Sequence, residues 1–129
     1  EKEYLLTNGL GSFCSSTVIG TNIRKYHGLL NASIVPPIKR MLLLSKLDET
    51  ITIGDRTYPL SSNEYVGRVA GGFRHLTSFS NELLPKFIYC IGDVRIEKEL
   101  AMEYEKNTVA ICYRVRSGRE HASIQFTPY

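Results

Sequence analysis

Residues 94–115, VRIEKELAMEYEKNTVAICYRV, decide between a β fold and a helical one. In the first half, apolar and charged side chains largely alternate, which is the period of a strand with one buried face. Lys98 interrupts the apolar side and Ala101 the polar side. Local propensity points the other way, because the letters EKELAMEYEK are good helix formers and every fourth residue from Ile96 to Tyr104 is apolar.

The second half of this stretch favours strands. Val109, Ile111, Tyr113 and Val115 alternate with other residues and are β-branched or aromatic. Because only a short EKN turn separates the two runs, the sequence predicts an antiparallel hairpin over residues 94–115.

Turn-type letters recur along the whole chain as NGLG, VPPIK, IGDR, AGG, IGD, EKN and SGRE. This spacing predicts an all-β fold: an antiparallel β-sandwich with little helix, forming one domain over residues 1–129. Other predicted strands are FCSSTVIG, GLLNASIV, MLLLSKLDETITIG, RTYPL and KFIYCIG. The segment Ser61–Leu84 is irregular and glycine-rich, so long loops are expected there.

The composition is that of a globular protein, with 43% hydrophobic and 22% charged residues in 129. No apolar run, Met41–Leu44 included, approaches the roughly 20 residues of a membrane helix, so no membrane partner is expected. The chain starts without Met, and the alternating run HASIQFTPY reaches its last residue. We therefore expect a domain of a longer protein.

Charge is distributed unevenly although the net charge is only +3. No acidic residue occurs between Tyr4 and Leu47, whereas five basic residues do: Arg24, Lys25, Lys39, Arg40 and Lys46. Nucleic-acid-binding surfaces usually carry denser basic runs with stacking aromatic residues, so no nucleic-acid partner is expected.

The cysteines and histidines indicate neither disulfides nor metal. Cys14, Cys90 and Cys112 are odd in number and form no CxxC motif, so they are expected to be free thiols and small buried hydrophobes. The three histidines are far apart and lack ligand spacing, so no metal and no cofactor are expected.

No catalytic constellation is recognisable. The serines lack a G-x-S-x-G turn, and GLGSFC departs from a phosphate-binding loop and precedes no helix pattern. Asp48 and Glu49 are neighbours and would point to opposite faces of a strand, whereas Glu97, Glu99 and Glu103 resemble a solvated strand face. The chain by itself is therefore not expected to be an enzyme.

The stretch TNGLGSFCSSTVIGTNIRKYHGLL, residues 7–30, carries the candidate site residues. They are Asn8, on a glycine-rich turn, and Arg24, Tyr26 and His27. On a strand, Arg24 and Tyr26 would share one face, and Lys25 and His27 the other. These side chains either offer hydrogen bonds to a ligand or interface, or serve the fold, with Tyr26 packed, His27 satisfied in the core and Arg24 paired with an acid.

A family resemblance covers essentially the whole chain. EYLLTNGLGSF, STVIGTNIRKYHGLL, PPIKRMLLLSKLDETI and YPLSSNEY occur in this order, followed by FSNELLPKFIYCIGDVRIEKELAMEYEKNTVAICYRV. Together they resemble the N-terminal domain of prokaryotic-type glycogen debranching enzymes, the amylo-α-1,6-glucosidases. The chain departs from the family at Ser12 and Ser16, which stand where the family usually has glycines.

The resemblance implies a large, supersandwich-like β-sandwich in a cytoplasmic enzyme. It also implies a following α/α-toroid that carries the catalytic acid and base, and an α-1,6-linked glucan such as glycogen or branched dextrin as the substrate. Asn8, Arg24, Tyr26 and His27 would then line one wall of a sugar site or contact the catalytic domain, without catalysing the reaction. Two alternatives stay open: a freestanding carbohydrate-binding module, which the absence of Trp disfavours, and a purely structural docking domain.

Overall fold

The computed structural model describes residues 2–36, 38–65 and 68–129. Within these ranges the chain forms thirteen strands, one 3-10 turn (Gly72–His75) and no α-helix. The strands are β1 (Glu3–Thr7), β2 (Phe13–Thr17), β3 (Gly28–Val35), β4 (Lys39–Leu44), β5 (Leu47–Ile53), β6 (Arg56–Pro59), β7 (Ser62–Tyr65), β8 (Arg68–Gly71), β9 (Leu76–Ser80), β10 (Lys86–Ile91), β11 (Val94–Met102), β12 (Val109–Arg116) and β13 (Ala122–Pro128).

The described strand pairs are all antiparallel. Two sheets have four strands, in the orders β1-β2-β3-β4 and β12-β11-β10-β9. A third sheet has the order β13-β5-β6, and β7 and β8 form a separate ribbon. The three larger sheets contribute to one core, so the predicted all-β sandwich is confirmed.

The hairpin over residues 94–115 is confirmed as strands rather than a helix. β11 and β12 pair from Arg95↔Arg116 to Met102↔Val109. On β11, Val94, Ile96 and Leu100 are at most 1% exposed. Burying a large apolar side chain contributes about 1.5–3 kcal/mol. That exceeds helix-propensity differences of at most about 0.7 kcal/mol per ordinary residue, so tertiary burial overrides local preference.

Aromatic side chains connect the two four-stranded sheets. The ring of Tyr4 on β1 lies 5.6 Å from that of Phe87 on β10, in an edge-to-face arrangement. Phe87 also lies 5.0 Å from Phe79 on β9. Such pairs add about 0.5–1.5 kcal/mol beyond area burial, so this cluster fixes how the sheets face each other.

Three sequence-based expectations for the strands were incomplete. The segment Ser61–Leu84, expected to form loops, contains β7, β8, the 3-10 turn and β9, although its residues 66 and 67 lie outside the described ranges. β9 owes its structure to pairing with β10, which the local glycine-rich sequence does not reveal. The run MLLLSKLDETITIG is divided at Ser45 and Lys46, and β1 was not among the predicted strands.

Candidate functional site

Asn8 lies inside the fold, with 1% exposure. Its Oδ1 accepts hydrogen bonds from the backbone N–H groups of Leu10 and Ser12, at 3.0 and 3.1 Å. Its Nδ2 donates to the carbonyl oxygen of Lys106 at 2.7 Å, and its own carbonyl accepts from the N–H of Glu105 at 2.7 Å. Asn8 therefore joins the β1–β2 turn to the β11–β12 turn. We call this contact, residues 8–12 against residues 104–107, the turn clasp.

Gly9 and Ser12 complete the turn clasp. Gly9 has a φ of 85°, and a Cβ at this position would lie 2.7 Å from Cε2 of Tyr104, so both its conformation and its close contact favour glycine. The Ser12 hydroxyl accepts from the N–H of Ser33 at 2.7 Å and donates to the side chain of Asn107. Ser12 thus joins the clasp to Asn107 and to Ser33 on β3.

The segment with Arg24, Tyr26 and His27 is a turn between β2 and β3. His27 is 5% exposed, its N–H donates to the carbonyl of Arg24 at 3.1 Å, and its Nδ1 accepts from the N–H of Ile23 at 3.1 Å. The expectation of a strand was therefore wrong for these residues, because the buried imidazole closes a turn here, although Arg24 and Tyr26 still lie on the side opposite to His27. We call residues 24–27 the RKYH turn.

Two members of the RKYH turn project outward. The side chain of Arg24 is 68% exposed, and its Nε donates to Oε1 of Glu3 at 2.7 Å. Tyr26 is 66% exposed, and Nζ of Lys25 lies 5.8 Å from its ring centre. The turn thus presents cations and an aromatic ring above a buried histidine, whereas Asn8 belongs to the turn clasp. That these four residues contact a sugar or a domain stays a prediction.

A buried ion pair between the sheets was not predicted from the sequence. The side chain of Glu49 on β5 is 2% exposed, and its Oε1 pairs with Nζ of Lys98 on β11, whose side chain is 11% exposed. Each residue interrupts the apolar parity of its strand: Glu49 lies between Leu47 and Ile51, and Lys98 between Ile96 and Leu100. Two opposite charges on two buried faces were the signal that could have revealed this pair.

The Glu49 carboxylate also accepts hydrogen bonds from two neighbouring hydroxyl groups. Tyr113 donates its hydroxyl to Oε1 at 2.5 Å, and Ser61 donates to Oε2 at 2.5 Å while accepting from the N–H of Glu49 at 3.0 Å. Burial and then the negative charge of Glu49 raise the pKa of Tyr113 well above its usual value. The same two causes, in the same order, raise the pKa of Tyr89.

The space beside Glu49 is too small for a sugar. A cavity of about 30 Å³ lies between Glu49, Lys98, Tyr4 and Ser16. This is the volume of about one water molecule in the liquid, whereas ligand sites usually have roughly 300–1,000 Å³. Glu49 and Lys98 therefore hold the sheets together rather than meet a substrate.

An open polar cleft of about 350 Å³ lies at one end of the sandwich. Asp55, Asp93 and Glu120 contribute carboxylates, and Tyr58 contributes an aromatic ring. Its volume falls within the usual range for ligand sites, about 300–1,000 Å³. Because Asp93 accepts a hydrogen bond from the N–H of Arg119 at 3.2 Å, at least one carboxylate also holds a neighbouring turn.

Cys14, Cys90 and Cys112 are free, as predicted. Their expected burial holds only for Cys14, because Cys90 and Cys112 lie on outward positions of β10 and β12 and are exposed. Burial raises the pKa of the Cys14 thiol to about 12. Among the described residues, no three or more His, Cys, Asp or Glu side chains lie together as a metal site would require. No helix in the described part of the chain is long and apolar enough to cross a membrane.

Fold and surface together define a class: an antiparallel β-sandwich domain whose turns hold its sheets together and present charged and aromatic groups. A family model described as "Glycogen debranching enzyme N terminal" matches residues 2–129. The chain belongs to this family of N-terminal domains of glycogen debranching enzymes. No curated protein and no solved structure matches the chain significantly.

Proposed function

We propose that this chain is the non-catalytic N-terminal domain of a prokaryotic-type glycogen debranching enzyme that hydrolyses α-1,6-glucosidic branch points. The family match over residues 2–129 carries this proposal. The domain packs on a C-terminal catalytic domain of the same polypeptide and assists the binding of an α-glucan such as glycogen or branched dextrin. The enzyme works in the cytoplasm, in keeping with three free cysteines.

The RKYH turn is the proposed contact region. Arg24 supplies a planar set of N–H donors, and Tyr26 supplies a ring and a hydroxyl, which together suit sugar hydroxyls or polar groups of a neighbouring domain. Their exposure of 68% for the Arg24 side chain and 66% for Tyr26 supports this role. His27 acts from beneath as a positioning residue, since its Nδ1 accepts the N–H of Ile23.

Activity measurements test the assignment to a debranching enzyme. The longer chain is expected to release glucose from an α-1,6-branched dextrin, and residues 1–129 alone are expected to release none. Hydrolysis of a glycosidic bond needs an acid and a base on opposite sides of that bond. We assign both groups to the C-terminal catalytic domain. Activity of residues 1–129 that survives repurification and disappears on replacing one of their own carboxylates would contradict the proposal.

Variants of the longer enzyme test the RKYH turn. Arg24→Ala is expected to lower kcat/KM about tenfold to a hundredfold, the equivalent of about 1.4–2.8 kcal/mol of lost transition-state binding. Its melting temperature should change little, because the Arg24–Glu3 pair is exposed and such pairs contribute about 0–1 kcal/mol. His27→Ala should instead lower the melting temperature, because it removes a buried hydrogen-bond acceptor.

Arg95→Ala is the matched control for Arg24→Ala. Arg95 also forms an ion pair through a solvent-accessible side chain, with Glu97 at 3.1 Å and side-chain exposures of 47% and 18%, but it lies on β11 rather than in the RKYH turn. It should change neither kcat/KM nor the melting temperature appreciably. If Arg24→Ala lowers the melting temperature strongly and leaves kcat/KM unchanged, Arg24 has only a structural role.

A further inference from the structure

β4 is an edge strand of the sheet β1-β2-β3-β4, and most of its apolar side chains are exposed. Within the described ranges, β4 pairs with β3 alone, so its other edge carries no described strand. Its side chains are exposed on both faces: Met41 is 48%, Leu42 47% and Leu43 53% exposed. Exposed apolar edge strands template pairing with further strands, and proteins usually blunt or cover them. β4 therefore has the backbone and side-chain character of a strand that receives a neighbour.

The direction of β13 identifies that neighbour. β13 pairs antiparallel with β5 from Ala122↔Ile53 to Pro128↔Leu47, so it runs back towards the end of β4. At Tyr129 the pairing continues: the N–H of Tyr129 donates to the carbonyl of Lys46 at 3.0 Å, and the N–H of Ser45 donates to the carbonyl of Tyr129 at 2.7 Å. Ser45 and Lys46 thus both lie opposite Tyr129, and two residues opposite one is the pattern of a β-bulge.

The bonds of Ser45 also show which edge of β4 is available. Its N–H bonds to Tyr129, whereas its carbonyl accepts from the N–H of Leu29, the residue beside Leu30 that begins the β3–β4 pairing. β3 and Tyr129 therefore lie on opposite sides of the chain at Ser45. A strand that continued from Tyr129 without turning would run along the open edge of β4.

We infer that the polypeptide following Tyr129 in the longer enzyme continues β13 as a strand along the open edge of β4. With the bulge at Ser45 and Lys46, the first residue beyond Tyr129 lies opposite Leu44 and, counted one residue against one, the sixth lies opposite Lys39. β4 has a second bulge at Leu43, where its pairing with β3 shifts from Leu30↔Leu44 to Asn31↔Leu42, and the added strand follows this irregular edge. Because this strand is a continuation of β13, it joins the β1-β2-β3-β4 sheet to the β13-β5-β6 sheet. This inference rests on the proposed function in one respect, namely that the chain continues into a larger enzyme.

The register specifies the chemistry of the incoming segment. Residues directly opposite each other in an antiparallel pair share a face and contact each other. The second and fourth residues beyond Tyr129 meet Leu43 and Met41, and the third meets Leu42, so all three are apolar. The sixth meets Lys39, which favours an acidic side chain there because opposite charges directly across a strand pair attract. Arg40 sets no such preference at the fifth, because its Nε donates to the carbonyl of Gly11 on the β1–β2 turn at 2.7 Å.

Cysteine pairs in the longer enzyme test this register. Cys90→Ser and Cys112→Ser first remove the exposed native thiols. Leu43→Cys is then combined with cysteine at the second residue beyond Tyr129, and Leu42→Cys with cysteine at the third. Since successive pairs alternate between wide and narrow spacing, at least one of the two should form an intrachain disulfide under mild oxidation.

Leu5→Cys supplies the control partner. Leu5 is 59% exposed on β1, at the opposite edge of the same sheet, so it should not cross-link with either downstream cysteine. Cross-linking of Leu5→Cys as efficiently as Leu43→Cys would overturn the inference. A disulfide that joins two copies of the chain would also overturn it, because a second copy would then cover the edge.

Hydrogen exchange gives an independent readout on the unsubstituted longer enzyme. An edge strand protects only the amides that point to its single partner, whereas a strand paired on both sides protects all of them. In residues 39–44 all six amides should exchange on the order of a hundredfold or more slowly than unprotected amides. Fast exchange of alternate amides would refute the strand.

The activity assay separates this inference from the proposed function. A longer enzyme that hydrolyses branched dextrin but shows neither the disulfide nor the protection would contradict only the added strand. The disulfide and protection without any hydrolysis would support the strand and contradict the proposed function.

Discussion

Replacing Lys98 by methionine should strongly destabilise the isolated domain. Met removes the charge but keeps an unbranched stem of similar length, so the packing against the Phe87 ring, now 5.5 Å from the Lys98 amine, changes little. The Glu49 carboxylate, 2% exposed, would then lack a counter-charge in the core. Removing one partner of a buried pair costs about 3–5 kcal/mol.

The hydrogen bonds from Tyr113 and Ser61 to Glu49 place the expected loss at the lower end of that range, about 3 kcal/mol, because they still solvate the carboxylate. Urea unfolding followed by circular dichroism gives the free energy of unfolding. The double variant Glu49→Gln/Lys98→Met should recover more than half of the loss, since no buried charge remains. Such a recovery would identify the charge, rather than the shape of the side chain, as the cause.

Lys106→Met is the matched control, because the Lys106–Glu103 pair is exposed, with side-chain exposures of 65% and 49%. Its effect should stay within about 1 kcal/mol. The reasoning fails if Lys98→Met costs no more than this control, because the Glu49 carboxylate would then not depend on Lys98 for its place in the core.

Four further predictions concern the turn clasp and the cysteines. Asn8→Ala should lower the free energy of unfolding by about 2–4 kcal/mol, because three side-chain hydrogen bonds disappear inside the fold; Asn8→Asp keeps Oδ1 as an acceptor but turns a second carboxylate oxygen towards the Lys106 carbonyl at a buried position, so the same urea titration should show a loss at least as large. Gly9→Ala should cost about 1–3 kcal/mol, since it places a Cβ at a φ of 85° against a neighbouring ring, and an unchanged urea midpoint would contradict the tight contact. Cys90 and Cys112 should react with a thiol reagent in the native protein, whereas buried Cys14 should react only after unfolding, so three equivalents under native conditions would be the contrary result. Because the folded-state pKa of Cys14 is raised to about 12 from an ordinary 9.0, the folded state binds more protons in that interval, and the melting temperature should fall as pH rises from about 9 towards 12, with a smaller fall in Cys14→Ala.

The strands that could be predicted are those with strong local signals. Alternation in residues 94–104 and β-branched residues in 108–115 predicted β11 and β12 correctly, in spite of the helix-forming letters. β9 could not be predicted in this way, because its stability comes from pairing Phe79 with Phe87 on another strand. Pairing partners distant in sequence leave no local pattern.

The candidate site, too, was predicted only in part from the sequence. The sequence singled out Arg24, Tyr26 and His27 because of their unusual concentration, and the structure places them in one turn with His27 buried and the other two exposed. The segment is a turn rather than a strand, yet Arg24 and Tyr26 lie on the outer side and His27 on the inner side, as strand alternation predicted. Only Lys25, expected to share the face of His27, is exposed instead.

The sequence alone determined the fold class, the family and the free cysteines, because alternation, turn residues and ordered motifs are encoded locally along the chain. Only the tertiary structure decided that Glu49 and Lys98 pair between two sheets, that Asn8 joins two distant turns, and that β13 runs antiparallel to β5 towards the end of β4. Each of these depends on contacts between residues far apart in the chain. A charge in the sequence does not reveal its partner, because partner choice is made by how the sheets pack and by the cost of burying a charge unpaired.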